Sequence, residues 1–455
     1  MKLHVVILAA GKGTRMKSEL PKVLHPLAGK PLLQHVIDTT QGLNPEKIHV
    51  VYGHQGEKLK TSVLTPNLNW VEQAEQLGTG HAVGQVLEHI PNGANVLILY
   101  GDVPLIQGDS LHGFLSAANA GFGLMTVLLQ DSTGYGRILR DKQGNITAIV
   151  EQKDASTEQL DIKEINTGIM ALPVDYLKKW LPKLKNTNAQ KEYYLTDIVA
   201  MANNEGLKIT PYSPAQTWEV DGVNDRVQLA RLERIYQRQV AELLMRNGVS
   251  LADPSRLDVR GILKTGTDCF IDINVVFEGE CEIGSGVSIA ANCIIRNSRI
   301  GDNVEIESNS LIDEAVLEAE CHVGPFARLR PGAYLSRNSR VGNFVEIKKS
   351  HLGEGSKVNH LSYVGDATVG KDVNIGAGTI TCNYDGVNKF QTTIGDRVFV
   401  GSNTALVAPV MLADDVTVGA GSTITKNVDT NQLAIARGQQ RNIAGWKRPK
   451  KLSKT

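Results

Sequence analysis

Cysteine is scarce, with five in 455 residues, and no two of them form a CxxC pair. That excludes a disulfide framework and the common zinc and thiol-redox motifs. Cys269, Cys281, Cys293 and Cys321 fall in a repeat region described below and read as small buried residues. A reducing, cytoplasmic compartment is expected. Aromatic residues make up only 5% of the chain. Charge of one sign is also missing, since 48 Lys and Arg face 48 Asp and Glu. A balanced chain has no electrostatic footprint for wrapping nucleic acid, so any anion must be held by locally placed groups. No run approaches the roughly 20 apolar residues of a membrane helix. The first ten residues lack the apolar core and cleavage site of a signal peptide and read as a buried strand. Glycine is what the chain has in quantity, at 44 residues. With few aromatics, it predicts many tight turns around a core of small and β-branched side chains.

Three textures succeed one another. Residues 1–226 alternate apolar runs with helical patterns, with strands expected at 3–10, 47–52, 95–100, 123–129 and 165–172 and helices at 31–41 and 80–89. Such alternation predicts an α/β, Rossmann-like and mostly parallel sheet that binds ligands beyond the carboxyl ends of its strands. Over 227–247, Val227, Leu229, Leu232, Ile235, Tyr236, Val240, Leu243 and Leu244 recur at helical spacing, which predicts a long connecting helix. The remainder, 248–455, acquires a period of six. Leu317, Val323, Leu329, Leu335, Val341 and Ile347 keep it without error, as do Ile394, Val400, Leu406, Leu412, Val418 and Ile424. No helix has that period, whereas a parallel β-helix of hexapeptide repeats does, with one inward aliphatic stack per face. Between Ile375 and Ile394 the register breaks around Thr381–Gln391, an insertion whose Asn383, Tyr384 and Asp385 favour a site over a plain loop. The basic tail, with Lys447, Arg448, Lys450, Lys451 and Lys454, reads as a solvated terminus.

Two segments carry chemistry. Leu8-Ala9-Ala10-Gly11-Lys12-Gly13-Thr14-Arg15-Met16 directly follows the first strand, and Pro21-Lys22 lies just beyond. Glycines at a strand end let backbone N–H groups approach a phosphate, while Arg15 and Lys22 can neutralise a triphosphate. The string is neither a Walker A motif nor GxGxxG. Tyr100-Gly101-Asp102 ends another strand, where a carboxylate opposite a phosphate loop suits a metal better than a turn cap. In the repeat region, His360 alone reads as a surface histidine. Its place two residues past the inward Val358, the insertion within thirty residues, and Arg328, Arg330, Lys348 and Lys349 nearby make it a candidate general base beside a sugar phosphate.

The L-A-A-G-x-G-T-R-M string with its downstream P-K resembles the sugar-phosphate nucleotidyltransferases. Taken with the long helix and the repeats, the whole chain resembles the bacterial bifunctional N-acetylglucosamine-1-phosphate uridylyltransferases/glucosamine-1-phosphate acetyltransferases. That resemblance implies an enzyme using UTP and acetyl-CoA as co-substrates, Mg²⁺ as cofactor, glucosamine 1-phosphate and N-acetylglucosamine 1-phosphate as substrates, a left-handed β-helix and a homotrimer. By motif, it implies that Leu8, Ala9, Ala10, Gly11 and Lys22 contact the nucleotide, with Arg15 and Lys22 catalytic. Gln73, Gly78 and Thr79 read the base. Tyr100, Gly101 and Asp102 line the site, Gly136, Glu151 and Asn166 hold the sugar, and Asn224 joins Asp102 on the metal. Asp225 stands where the family often has Asn. In the second site His360 is the implied base. Arg330, Lys348, Tyr363 and Asn374 bind glucosamine 1-phosphate. Asn383 and Tyr384 shape the acetyl site, and Ala377, Ser402, Ala420 and Arg437 line the coenzyme A groove. Two other readings share the architecture. One is a single-activity nucleotidyltransferase with a structural or regulatory β-helix, and the other is a non-catalytic regulatory subunit.

Overall fold

The computed structural model describes residues 2–11, 13–119 and 121–451. Lys12 of the glycine-rich string and Lys454 of the tail lie outside them. The chain divides into two compact units, 1–237 and 238–455.

In the first unit the apolar runs become strands β1 (Leu3–Ala9), β2 (Lys47–Tyr52), β3 (Asn69–Glu72), β4 (Asn95–Tyr100), β5 (Phe122–Leu128), β6 (Arg137–Arg140), β7 (Ile146–Val150), β8 (Glu164–Pro173) and β9 (Ile209–Tyr212). They form one sheet in the order β9-β5-β8-β4-β1-β2-β3, with the β6–β7 hairpin attached to β8. β1 lies between β2 and β4, parallel to both. Runs such as Val5-Val6-Ile7 require this arrangement, because both faces of the strand are covered. β8 is antiparallel to β4 and β5, and its register slips between Asn166 and Met170. That bulge re-aims the strand just after Asn166. Helix α1 (Leu32–Gln41) matches its expected span. The helix expected at 80–89 is shorter: α2 (Thr79–Gly84) stops at a glycine, and only a 3₁₀ turn, Leu87–His89, continues it. The hairpin β6–β7 carries no strong alternation, and the sequence does not announce it.

The connecting helix, α3 (Arg226–Arg246), runs almost the whole expected length. Asp225 caps it: its side chain accepts from the Val227 N–H at 2.9 Å and from the Gln228 N–H at 2.8 Å. Asn caps a helix as well as Asp does, so an Asn at this position would make the same cap.

The second unit is a parallel β-helix. Strands one coil apart stack in parallel, for example Leu317 on Leu335, Val323 on Val341 and Leu329 on Ile347. Both six-residue ladders are buried, and so are Cys269, Cys281, Cys293 and Cys321, all free thiols. One regular coil separates register partners such as Asn343 and His360, whereas Val369 pairs with Ile394 across a markedly longer one. The extra length is the insertion, a short loop closed by a Tyr384–Lys389 bridge. The tail from Ile443 to Lys451 is exposed and without helix or strand.

Candidate active sites

The first site opens at the carboxyl ends of β1 and β4. A cleft of about 570 Å³ is lined by Leu8, Ala9, Ala10, Gly11, Lys22, Gln73, Gly78, Thr79, Tyr100, Asp102 and Asn224. Four residues that the motif reading missed, Val23, Gln76, Ala82 and Glu192, complete its wall. Gly13 has a positive φ of 59°. A glycine there lets the loop cross close under Lys22, since a Cβ would sit 2.6 Å from the lysine's own Cβ. Lys22 Nζ donates to Asp102 Oδ2 and, at 3.2 Å, to Asn224 Oδ1. Arg15 donates to the same Asn224 oxygen at 2.8 Å. Two oxygens and two cations therefore converge from four separate segments. Asn224 is in turn fixed by its own N–H, which donates to Gln228 on α3 at 2.7 Å.

The wall opposite is built from the loop before α2. Gln73 is buried, and its amide donates to the Gly78 carbonyl at 3.1 Å. Gly78 has φ 112°, and a Cβ would meet the Tyr193 backbone at 2.7 Å. The segment 192–195 clasps this loop. The Gly80 N–H donates to Tyr193 O, the Tyr193 N–H to Leu77 O, and the Leu195 N–H to Thr79 Oγ1. Gly136, Glu151 and Asn166 form a neighbouring group. The Asn166 N–H donates to Gly136 O at 2.9 Å, and a Cβ on Gly136 would be 3.4 Å from both Glu151 oxygens. Burial, reinforced by Asp154, Asp197 and Glu192, raises the Glu151 pKa, against a hydrogen bond from Thr196. Tyr100 links the two groups: burial and then the charges of Glu151 and Asp102 push its hydroxyl pKa upward.

The second site lies on the β-helix. Lys348 donates to Asp366 at 3.2 Å, Asn383 donates to the same carboxylate oxygen, and Asn383 also approaches Tyr363 Oη at 3.4 Å. Arg330 pairs with Glu346 at 2.7 Å, and Glu346 stands in register with Tyr363. Asp366 thus gathers Lys348 and Asn383 beside Tyr363, yet no motif marks it. His360 lies in a column. The N–H of Leu361 donates to Asn343 O, that of Gly378 to His360 O, that of Asn403 to Ala377 O and that of Gly421 to Ser402 O. Asn343, His360, Ala377, Ser402 and Ala420 therefore lie one under another, and Arg437 donates to the Ala420 carbonyl at 2.7 Å. The side chains beneath the histidine, Ala377, Ser402 and Ala420, are small, and Ser402 and Ala420 are exposed. Asn374 pairs in register with Lys357, and among the described residues no hydrogen bond ties it to the Lys348 group. The Tyr384 hydroxyl turns onto Gly386 of its own loop.

Comparison with known proteins agrees with both units. Residues 5–188 match the family model of the MobA-like NTP transferase domain. Residues 264–297 match the bacterial transferase hexapeptide, and 391–426 the hexapeptide repeat of succinyl-transferase. The chain is 59% identical over 450 residues to a protein of Marinobacter nauticus named bifunctional protein GlmU, covering 99% of each chain. It is 58% identical over 450 residues to a protein of that name from Idiomarina loihiensis, again covering 99% of both. A solved UDP-glucose pyrophosphorylase bound to UDP-glucose aligns with 52% of this chain and 100% of its own, at 17% identity and a TM-score of 0.43, too loose for inference.

Proposed function

The chain belongs to the bifunctional GlmU family, and from that premise we infer that it acetylates glucosamine 1-phosphate with acetyl-CoA on its β-helix. It then transfers UMP from UTP to the resulting N-acetylglucosamine 1-phosphate on its α/β unit. The observation that carries this reading is the presence of two chemically different clusters in one chain. One is the Arg15–Lys22–Asp102–Asn224 convergence, and the other is the His360 column beside the Lys348–Asp366–Asn383 hub. A single-activity enzyme needs only the first, and a regulatory subunit needs neither.

In uridylyl transfer a phosphate oxygen of the sugar phosphate attacks the α-phosphorus of UTP. The new P–O bond forms as the bond to pyrophosphate breaks. Backbone N–H groups of 10–11 and the Arg15 and Lys22 cations meet the negative charge growing on the bridging and leaving oxygens. The Asp102 carboxylate and Asn224 carboxamide already gather an ammonium between them. They are hard oxygen donors, so they fit Mg²⁺. When bound there, the ion neutralises phosphate charge. The clasped loop carrying Gln73, Gly78 and Thr79 recognises the base, and Gly136, Glu151 and Asn166 orient the sugar.

In acetyl transfer the amine nitrogen attacks the thioester carbon. His360 takes the proton released as the C–N bond forms, and the thiolate leaves. Arg330, Lys348 and Tyr363, with Asn374, hold the sugar phosphate, and Asn383 and Tyr384 border the acetyl group. The Ala377–Ser402–Ala420 column with Arg437 receives coenzyme A. This exposed column fits closure by a neighbouring copy in a homotrimer, which light scattering of the purified protein tests. Among the described residues no helix is long and apolar enough to cross a membrane. A cytoplasmic location fits the use of UTP and acetyl-CoA. Two variants decide the assignment: Asp102→Ala should abolish only uridylyl transfer, and His360→Ala should lower only acetyl transfer, by roughly two to four orders of magnitude. Equal loss, or equal retention, of both activities in either folded variant removes that residue from its site.

A further inference from the structure

Asn343 ends the strand Arg340–Asn343 and stands in register with His360 on the next coil. Its side-chain oxygen is 2.8 Å from His360 Nδ1. A carboxamide oxygen only accepts, so this contact requires a proton on Nδ1. A neutral imidazole carries one ring proton, so Nε2 keeps its lone pair. No ion pair reaches His360 among the described residues. The charged groups of the flanking strands are Arg340 and Lys357, paired with each other three residues earlier in the column. Below His360 the column offers Ala377, which cannot hydrogen-bond the ring. The coil itself does not need the Asn343 side chain, because the backbone ladder is carried by Leu361 N–H on Asn343 O at 3.1 Å.

We propose that Asn343 is a positioning residue for acetyl transfer, holding the His360 imidazole in the tautomer whose Nε2 is the base. The inference rests on the reading of His360 as that base. Nε2 takes the amine proton as the C–N bond forms. The imidazolium keeps its Nδ1 proton on Asn343, and Nε2 returns the other to the thiolate as the C–S bond breaks. Without Asn343 the ring rotates and the proton distributes over both nitrogens, so fewer encounters find the productive form.

The test is steady-state acetyl transfer by the full chain as Asn343→Ala, Asn343→Asp, His360→Ala and the His360→Ala/Asn343→Ala double variant, with uridylyl transfer measured on the same preparations. Asn343→Ala should lower acetyl-transfer kcat roughly 10- to 100-fold, as loss of an imidazole-orienting partner does, with both KM values and uridylyl transfer unchanged. Asn343→Asp should restore most of kcat and move the acid limb of its pH profile upward, because a carboxylate favours the imidazolium. The double variant should be no slower than His360→Ala. Wild-type kcat in Asn343→Ala, a loss confined to KM, an unmoved acid limb in Asn343→Asp, or a further loss in the double variant each overturns the proposal. If His360→Ala itself acetylates normally, the base reading fails and Asn343 falls with it.

Discussion

The first unit should lose stability in mild acid because of a histidine pair that takes no part in either reaction. His4 on β1 and His49 on β2 are buried side by side, with His4 Nδ1 and His49 Nε2 3.0 Å apart and the rings stacked. One nitrogen must donate and the other accept, so the contact holds only while the pair is not fully protonated. Asn69 occupies the far nitrogen of His49 at 2.8 Å. Burial lowers the pKa of His49 from 6.5 to about 4, helped by the charges of His4, His89 and Lys47. Burial lowers that of His4 as well. The sign follows from the depression. Below pH 6.5 the unfolded chain binds a proton that the folded chain refuses. Stability is therefore complete at neutral pH, falls as pH drops from 6.5 toward 4, and levels off below. In full, the His49 shift corresponds to about 3 kcal/mol. Allowing for solvent screening near the sheet edge, we expect about 2 kcal/mol of it to be lost by about pH 4.5. Urea unfolding followed by tryptophan emission reads this unit, which holds Trp70, Trp180 and Trp218 of the chain's four tryptophans. His49→Gln should flatten the decline between neutral pH and that point by the same amount. Parallel declines in wild type and variant would refute the assignment.

Three further outcomes follow from the geometry. Asp366→Ala frees Lys348 and Asn383 together, so acetyl transfer should fall more than tenfold, whereas uridylyl transfer measured alongside stays at the wild-type rate. Gly78→Ala forces a Cβ onto the Tyr193 backbone at a positive φ. UTP turnover in that variant should fall by roughly 100-fold or more while acetyl transfer continues. A fragment ending near residue 247 should fold and turn over UTP, which pyrophosphate release measures, because the first unit has its own core.

How much of this was legible depends on what kind of information a sequence holds. The six-residue period could be read because each aliphatic ladder answers to a single local demand, an inward side chain on every face of the coil. β1, β2 and β4 could be read because a strand buried on both faces is a continuous apolar run. The hairpin β6–β7 could not, since half-exposed strands such as Arg137–Arg140 mix charge with apolar residues at no clear period. The helix after Gly78 reads longer than it is because the apolar pattern continues through Val86 and Leu87 although Gly84 ends the α-helical turn.

The sites divide along the same line. Lys22, Asp102 and Gly78 lie in short strings whose residue types suit phosphate, metal and backbone geometry, so they stand out one by one. Asp366 and Asn343 do not. Each acts on partners a full coil away, Asp366 on Lys348 and Asn383, Asn343 on His360, and the coil length alone brings them together. One regular coil step places Asn343, His360 and Ala377 in one column, and that spacing is present in the sequence. What hides the rest is the insertion: it lengthens one coil, so counting by a fixed step past Ala377 misses Ser402 and Ala420. A residue whose role is to hold another is visible only once the register is known, and the register is set by the packed core of the whole coil stack rather than by any segment of it.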